Sequence, residues 1–78
     1  MSTVKIYSTS SCPWCVRAKA FFKELNIPFE EIDVAANQQG AQDMVKKSGQ
    51  RGVPVIEIDN QIIVGFNQGA IKKALHLP

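Results

Sequence analysis

Apolar and polar positions alternate at the start of the chain and then change to a helical rhythm. Val4-Lys5-Ile6-Tyr7 alternates and is rich in β-formers, which predicts a strand. From Pro13 to Leu25, Ala18, Phe21, Phe22 and Leu25 recur at helical spacing, while Arg17, Lys19, Lys23 and Glu24 take the positions left for solvent. Asn26-Ile27-Pro28 stops this helix, because proline cannot continue it. Phe29 to Val34 alternates again around Glu30, Ile32 and Asp33 and predicts a second strand.

After Asn37-Gln38, a further amphipathic segment puts Ala41, Met44, Val45 and Ser48 on one stripe, with Gly49 as its stop. Val55–Ile58 and Gln61–Val64 are two β-rich runs joined by Asp59-Asn60, the signature of a hairpin. Asn67 is placed to cap a last helix that buries Ala70, Ile71, Ala74 and Leu75. Gly69 near its start weakens that helix.

The predicted order is β-α-β-α-β-β-α, an α/β fold with a parallel βαβ unit followed by an antiparallel hairpin. Four strands then form a mixed sheet flanked by three helices. The 78 residues suit one domain spanning 1–78 with one small core. The 45% apolar content fits a globular chain, and nothing suggests disorder or repeats. A formal net charge of +2 is too weak to argue for nucleic acid or an anionic membrane. Lys46-Lys47 and Lys72-Lys73 read as solvated helix faces. No apolar run approaches the ~18 residues of a membrane span. Met1-Ser2-Thr3-Val4-Lys5 lacks the features of a secretory signal, so the expected compartment is a reducing cytosol.

Chemistry concentrates in Cys12-Pro13-Trp14-Cys15, which holds the only two cysteines of the chain. The motif lies between the first strand and the first helix, after the polar turn Ser8-Thr9-Ser10-Ser11. A C-x-x-C at such a junction reads as a thioredoxin-like redox pair. Cys12 falls at the helix N-terminus, where unpaired N–H groups and the helix dipole stabilise an anion. Pro13 suits the first helical position, having no N–H to leave unpaired. Cys15 lies a turn further in, within reach of Cys12 and less exposed. The implied reaction is thiol–disulfide exchange, with Cys12 attacking and Cys15 resolving. Trp14 is expected to be a partly exposed contact surface at the helix mouth. Structural zinc needs four ligands, and two cysteines with His76 fall short, so no metal site is expected and His76 reads as a solvated tail residue.

With these residues in view, the chain resembles the glutaredoxin family over essentially its whole length. Tyr7 to Cys15, continued by Val16-Arg17-Ala18-Lys19-Ala20, is similar to the family's active-site strand and helix. Gly52-Val53-Pro54 stands where the family has Thr-Val-Pro, and Val64-Gly65-Phe66 stands near its Gly-Gly motif. The resemblance implies a thioredoxin fold with Val53-Pro54 in cis facing the cysteines. It also implies that the Val53 backbone pairs with substrate as an added strand, with Pro13, Trp14 and Pro54 supporting the site. Arg51, Val53, Gly65, Phe66 and Asn67 are the substrate-binding positions that it suggests.

The departures concern the electron donor. Glutathione-using members carry a lysine where Thr9 stands, a threonine at Gly52, a glycine at Val64 and an aspartate-containing helix start at Asn67-Gln68. Amides near Asn67 and Gln68, and Arg51, are the remaining candidates for holding a carboxylate. Gly65-Phe66 is similar to the NrdH-type redoxins, hydrogen donors of ribonucleotide reductase that take electrons from thioredoxin reductase. Their Trp-Ser-Gly-Phe pattern is replaced at its first two places by Ile63-Val64.

The expected protein is therefore a dithiol redoxin and glutaredoxin-like electron carrier that reduces protein disulfides or glutathione mixed disulfides through Cys12 and Cys15. No cofactor is expected to be tightly bound, and glutathione or a thioredoxin reductase is the external reductant. The expected state is a monomer. Alternatives are a hydrogen donor to ribonucleotide reductase and, in another class, a dimeric iron–sulfur-binding glutaredoxin, against which Pro13 argues by family implication.

Overall fold

The computed structural model describes residues 3–76. Met1 and Ser2, part of the predicted non-secretory start, lie outside the described residues, as do Leu77 and Pro78. The elements follow the predicted order: β1 (Val4–Ser8), α1 (Pro13–Glu24), β2 (Glu30–Asp33), α2 (Gln38–Ser48), β3 (Val55–Ile58), β4 (Gln61–Val64) and α3 (Gln68–Ala74). The sheet order is β2-β1-β3-β4. β1 pairs in parallel with β2 and antiparallel with β3, and β3 pairs antiparallel with β4.

β1 is central and covered on both faces, which explains why its alternating residues are nearly all buried. On one face Val4 and Ile6 join Ala18 and Phe22 of α1 and Ile71 and Ala74 of α3 in the main core. On the other, Tyr7 packs with Met44 of α2 and Val55. Gly40 gives α2 its close approach to β2: a Cβ there would stand 2.5 Å from Ile32 Cγ2. Gly49 ends α2 in the left-handed conformation at φ 76°, a backbone state that glycine adopts without steric cost.

One expectation needs correction. Leu25 was placed on the buried face of α1, but it caps the helix C-terminus and is exposed. The helix ends one residue earlier, so Leu25 falls outside the stripe that packs on the sheet. Lys46 and Lys47 are exposed, as expected, but Lys47 also has partners: its Nζ donates to Glu57 Oε1 at 2.8 Å and to the Tyr7 hydroxyl at 3.3 Å. These bonds tie α2 to β3 and hold the Lys47 ammonium above its ordinary pKa, Glu57 being the larger cause. No helix among the described residues is long and apolar enough to cross a membrane.

Candidate active site

The site grows from the way α1 begins. Cys12 is the N-cap of the helix, in extended conformation, and its Sγ accepts a hydrogen bond from the Cys15 N–H at 3.1 Å. A sulfur thus occupies the place usually taken by a serine or asparagine oxygen. Pro13 occupies the first helical position. The Cys12 N–H donates to the Thr9 carbonyl at 3.4 Å, closing the preceding turn.

The two thiols differ sharply. Cys12 is half-buried, whereas Cys15 is completely enclosed. Burial, reinforced by the Cys12 side chain, pushes the Cys15 thiol up to about 11. One turn below, Lys19 bonds Glu31 at 2.6 Å, and the buried Ser8 hydroxyl donates to the same carboxylate oxygen at 3.1 Å. The Lys19 bond is the main reason that the Glu31 carboxyl lies below its usual range.

Across from Cys12, the Val53–Pro54 peptide bond is cis, and the Val53 carbonyl oxygen lies 3.9 Å from Cys12 Sγ. The Gly65 N–H donates to the Pro54 carbonyl at 2.8 Å, which joins the start of β3 to the end of β4. Val53 lies outside the β3–β4 ladder, so its main chain stays open beside Cys12.

The predicted binding residues separate into three places. Val53, Gly65 and Phe66 line a groove with Trp14 and Pro54. Asn67 instead borders a second groove with Trp14, Arg17, Phe21 and Phe66, and its side chain caps α3 by accepting from the Ala70 N–H at 3.1 Å. Arg51 lies in neither; it is exposed and lines a third groove with Thr9 on the α2 side. Of the substrate-binding positions suggested above, Arg51 thus lines a different groove from Val53, Gly65 and Phe66, and Asn67 borders the groove beside Phe66.

Trp14 is 54% exposed, as its position between the cysteines suggested. Its ring stands 6.5 Å from Phe66, and the Arg17 guanidinium lies 4.7 Å from its centroid. Arg17 and Phe21 were missed as site residues. Their spacing from Trp14, three and seven places along one helix, was the available signal. Val64 is 53% exposed on the edge strand β4, so a ligand reaching for main chain there meets its side chain. Among the described residues no group of three or more His, Cys, Asp or Glu side chains could hold a metal ion.

A half-buried sulfur on a helix start, a buried partner thiol and an open backbone opposite are the parts needed for disulfide exchange. Residues 4–63 match the glutaredoxin family model. The chain belongs to the glutaredoxin family. Glutaredoxins are, in general, thiol–disulfide oxidoreductases. The chain is 47% identical over 72 residues to an uncharacterized glutaredoxin-like 8.6 kDa protein in the rubredoxin operon of Clostridium pasteurianum, covering 92% of this chain and 96% of that one. It is 40% identical over 65 residues to glutaredoxin 3 of Escherichia coli K12, covering 83% and 78%. The crystal structure of a glutaredoxin from Archaeoglobus fulgidus superimposes with a TM-score of 0.86 at 26% identity, covering 96% of this chain and 87% of that one. The fold is that of thioredoxin, as the resemblance implied.

Proposed function

We propose that this glutaredoxin is a dithiol electron carrier that reduces disulfides in other proteins through Cys12 and Cys15. Cys12 as the N-cap of α1, its sulfur facing the Val53 carbonyl, carries the reading. In the first step the Cys12 thiolate attacks one sulfur of a target disulfide. A Cys12–target disulfide forms and the second target sulfur leaves as a thiolate that takes up a proton. Cys15 then gives up its proton and attacks Cys12 Sγ. The Cys12–Cys15 bond forms, the first target sulfur leaves as a thiol, and two electrons have passed to the target.

Burial of Cys15 gives this order a physical basis, since only Cys12 is open to a protein substrate. The unpaired Val53 main chain offers an edge for an extended target segment. An external reductant must then reopen the Cys12–Cys15 bond. Thr9, Gly52 and Asn67 lack the groups that pair with glutathione in the family, and Val64 crowds the backbone approach. These features favour a flavoprotein reductase of the thioredoxin reductase type as donor, acting on a monomer in a reducing cytosol. Gly65-Phe66 before α3 supports a ribonucleotide reductase as one target class.

The test compares reduction of the oxidised protein by glutathione with reduction by NADPH and thioredoxin reductase. Faster turnover with the reductase is expected. Brisk glutathione-coupled reduction, with no turnover by the reductase, overturns the choice of donor.

A further inference from the structure

The third groove contains no cysteine and is not used by the exchange steps above. It runs between α2 and the loops that follow β1 and β2. Its apolar part comes from Val34, Ala41, Met44 and Val45, and Thr9 closes one end. Met44 is buried, whereas the other three are half-buried and present their surface to the opening. Lys46 and Arg51 also line it, and no carboxylate does. Among the described residues neither cation has a carboxylate within ion-pair distance, in contrast to Lys19 and Lys47, which are bound to Glu31 and Glu57.

Two connections join the groove to the nucleophile. Its Thr9 end is bonded through the main chain to Cys12. Its Arg51 rim precedes by two residues Val53, whose carbonyl faces Cys12 Sγ. A target bonded to Cys12 therefore has the Thr9 end of the groove beside it. The volume, about 580 Å³, is in the range of a small-molecule site and larger than one carboxylate requires.

We propose that this groove docks the polypeptide flanking the target disulfide, taking an apolar side chain against Met44 and Val45 and a carboxylate between Lys46 and Arg51. The preferred targets are then disulfides followed or preceded by an apolar–acidic stretch. This deepens the dithiol reading and rests on its use of the Val53 edge. Charge complementarity at such a rim acts mainly on encounter, so the preference is expected in the rate of the first exchange and weakens with added salt.

The experiment uses the full reduced chain and two peptide disulfides that differ only in a flanking Leu-Glu or Leu-Lys pair. Each first-exchange rate is followed by stopped-flow fluorescence of Trp14 and divided by the rate with neutral hydroxyethyl disulfide. The Leu-Glu peptide is expected to react about 5- to 10-fold faster than the Leu-Lys peptide, the scale of two exposed charge contacts. In the Lys46→Gln, Arg51→Gln double variant this preference should shrink below about 2-fold, as it should for the unaltered protein at high salt. A Val45→Asn variant should lose the advantage of Leu-Glu over Gly-Glu.

Equal normalised rates for the two charged peptides, or a preference that survives in the double variant, overturn the proposal. Loss of the same factor with the Gly-Glu peptide, or with glutathione disulfide, also overturns it, because the groove then reads a carboxylate alone. A protein that reduces neither peptides nor hydroxyethyl disulfide refutes the dithiol reading itself, and the docking proposal with it.

Discussion

The β1–α1–β2 half of the molecule and the β3–β4–α3 half meet at Cys12 but bring unlike things to it. The first half carries both sulfurs, held by the start of α1. The second carries no thiol and approaches with main chain, the Val53 carbonyl at 3.9 Å and the Gly65-to-Pro54 hydrogen bond behind it. Each half has a capped helix. In α1 the cap is the Cys12 sulfur, the proposed nucleophile, whereas in α3 it is the Asn67 side-chain oxygen, which accepts from the Ala70 N–H. On the proposed mechanism, bond-making chemistry is thus concentrated in side chains of one half, and recognition is built largely from the placement of the other.

The most drastic way to break this contrast is Cys12→Ser. A serine hydroxyl can still accept from the Cys15 N–H, so stability should change little, while exchange falls by at least ~10³-fold, the scale of losing a nucleophile. Thermal unfolding and disulfide reduction, measured on the same sample, check both halves of the statement. Cys15→Ser should leave the first exchange intact and trap the Cys12–target mixed disulfide, visible by mass spectrometry. If Cys15→Ser instead stops the first exchange, the roles of the two sulfurs are reversed.

Burial of Cys15 predicts a pH effect on the reduced protein. Its folded thiol titrates near 11 against an ordinary value of 9.0, so the native state holds that proton more tightly. The associated stability is fully present below pH 9 and declines as pH rises from about 9 to about 11. A shift of this size corresponds to roughly 2–3 kcal/mol. The difference in unfolding free energy between reduced wild type and reduced Cys15→Ala, followed across that interval, should shrink accordingly. A constant difference would show that Cys15 does not titrate this way.

Next in size are two changes that compare how α2 is fastened to each half. On the β2 side the fit is steric, and Gly40→Ala should destabilise by about 1–2 kcal/mol: the new Cβ crowds Ile32, which outweighs the better helix propensity. On the β3 side the Lys47–Glu57 pair is partly exposed, so Lys47→Met should cost no more than about 1 kcal/mol. Denaturant unfolding of both variants tests whether α2 depends more on shape than on charge.

The same division explains what could be read in advance. Hydrophobic rhythm and the stop residues Pro28 and Gly49 were enough for all seven elements, because burial of a helix face or strand face must repeat in sequence. The cysteine pair was legible because its spacing is itself the geometry. The partners of Lys47 were not, since Tyr7 and Glu57 sit on two strands that only the fold brings against α2. The groove that Arg51 lines was not legible either, because adjacency to Val53 in the chain does not say on which side of a turn a side chain falls. Nor was the need for glycine at position 40 legible, because the Ile32 side chain it makes room for comes from a different element.

The smallest expected effect sharpens the contrast between the caps. Asn67→Ala removes the acceptor for the Ala70 N–H and should cost about 1 kcal/mol, read as a lower unfolding midpoint. Asn67→Asp retains an acceptor and adds a negative charge at the positive end of α3, so it should be neutral or slightly stabilising. It also restores an acidic residue of the kind found in glutathione-using relatives, at a site that lies beyond the matched residues 4–63. Glutathione-coupled reduction should therefore rise in Asn67→Asp, while reduction by thioredoxin reductase stays the same or falls. If the aspartate leaves glutathione turnover unchanged, charge at the start of α3 does not govern the donor, and the obstruction must be sought at Val64 and Thr9 instead.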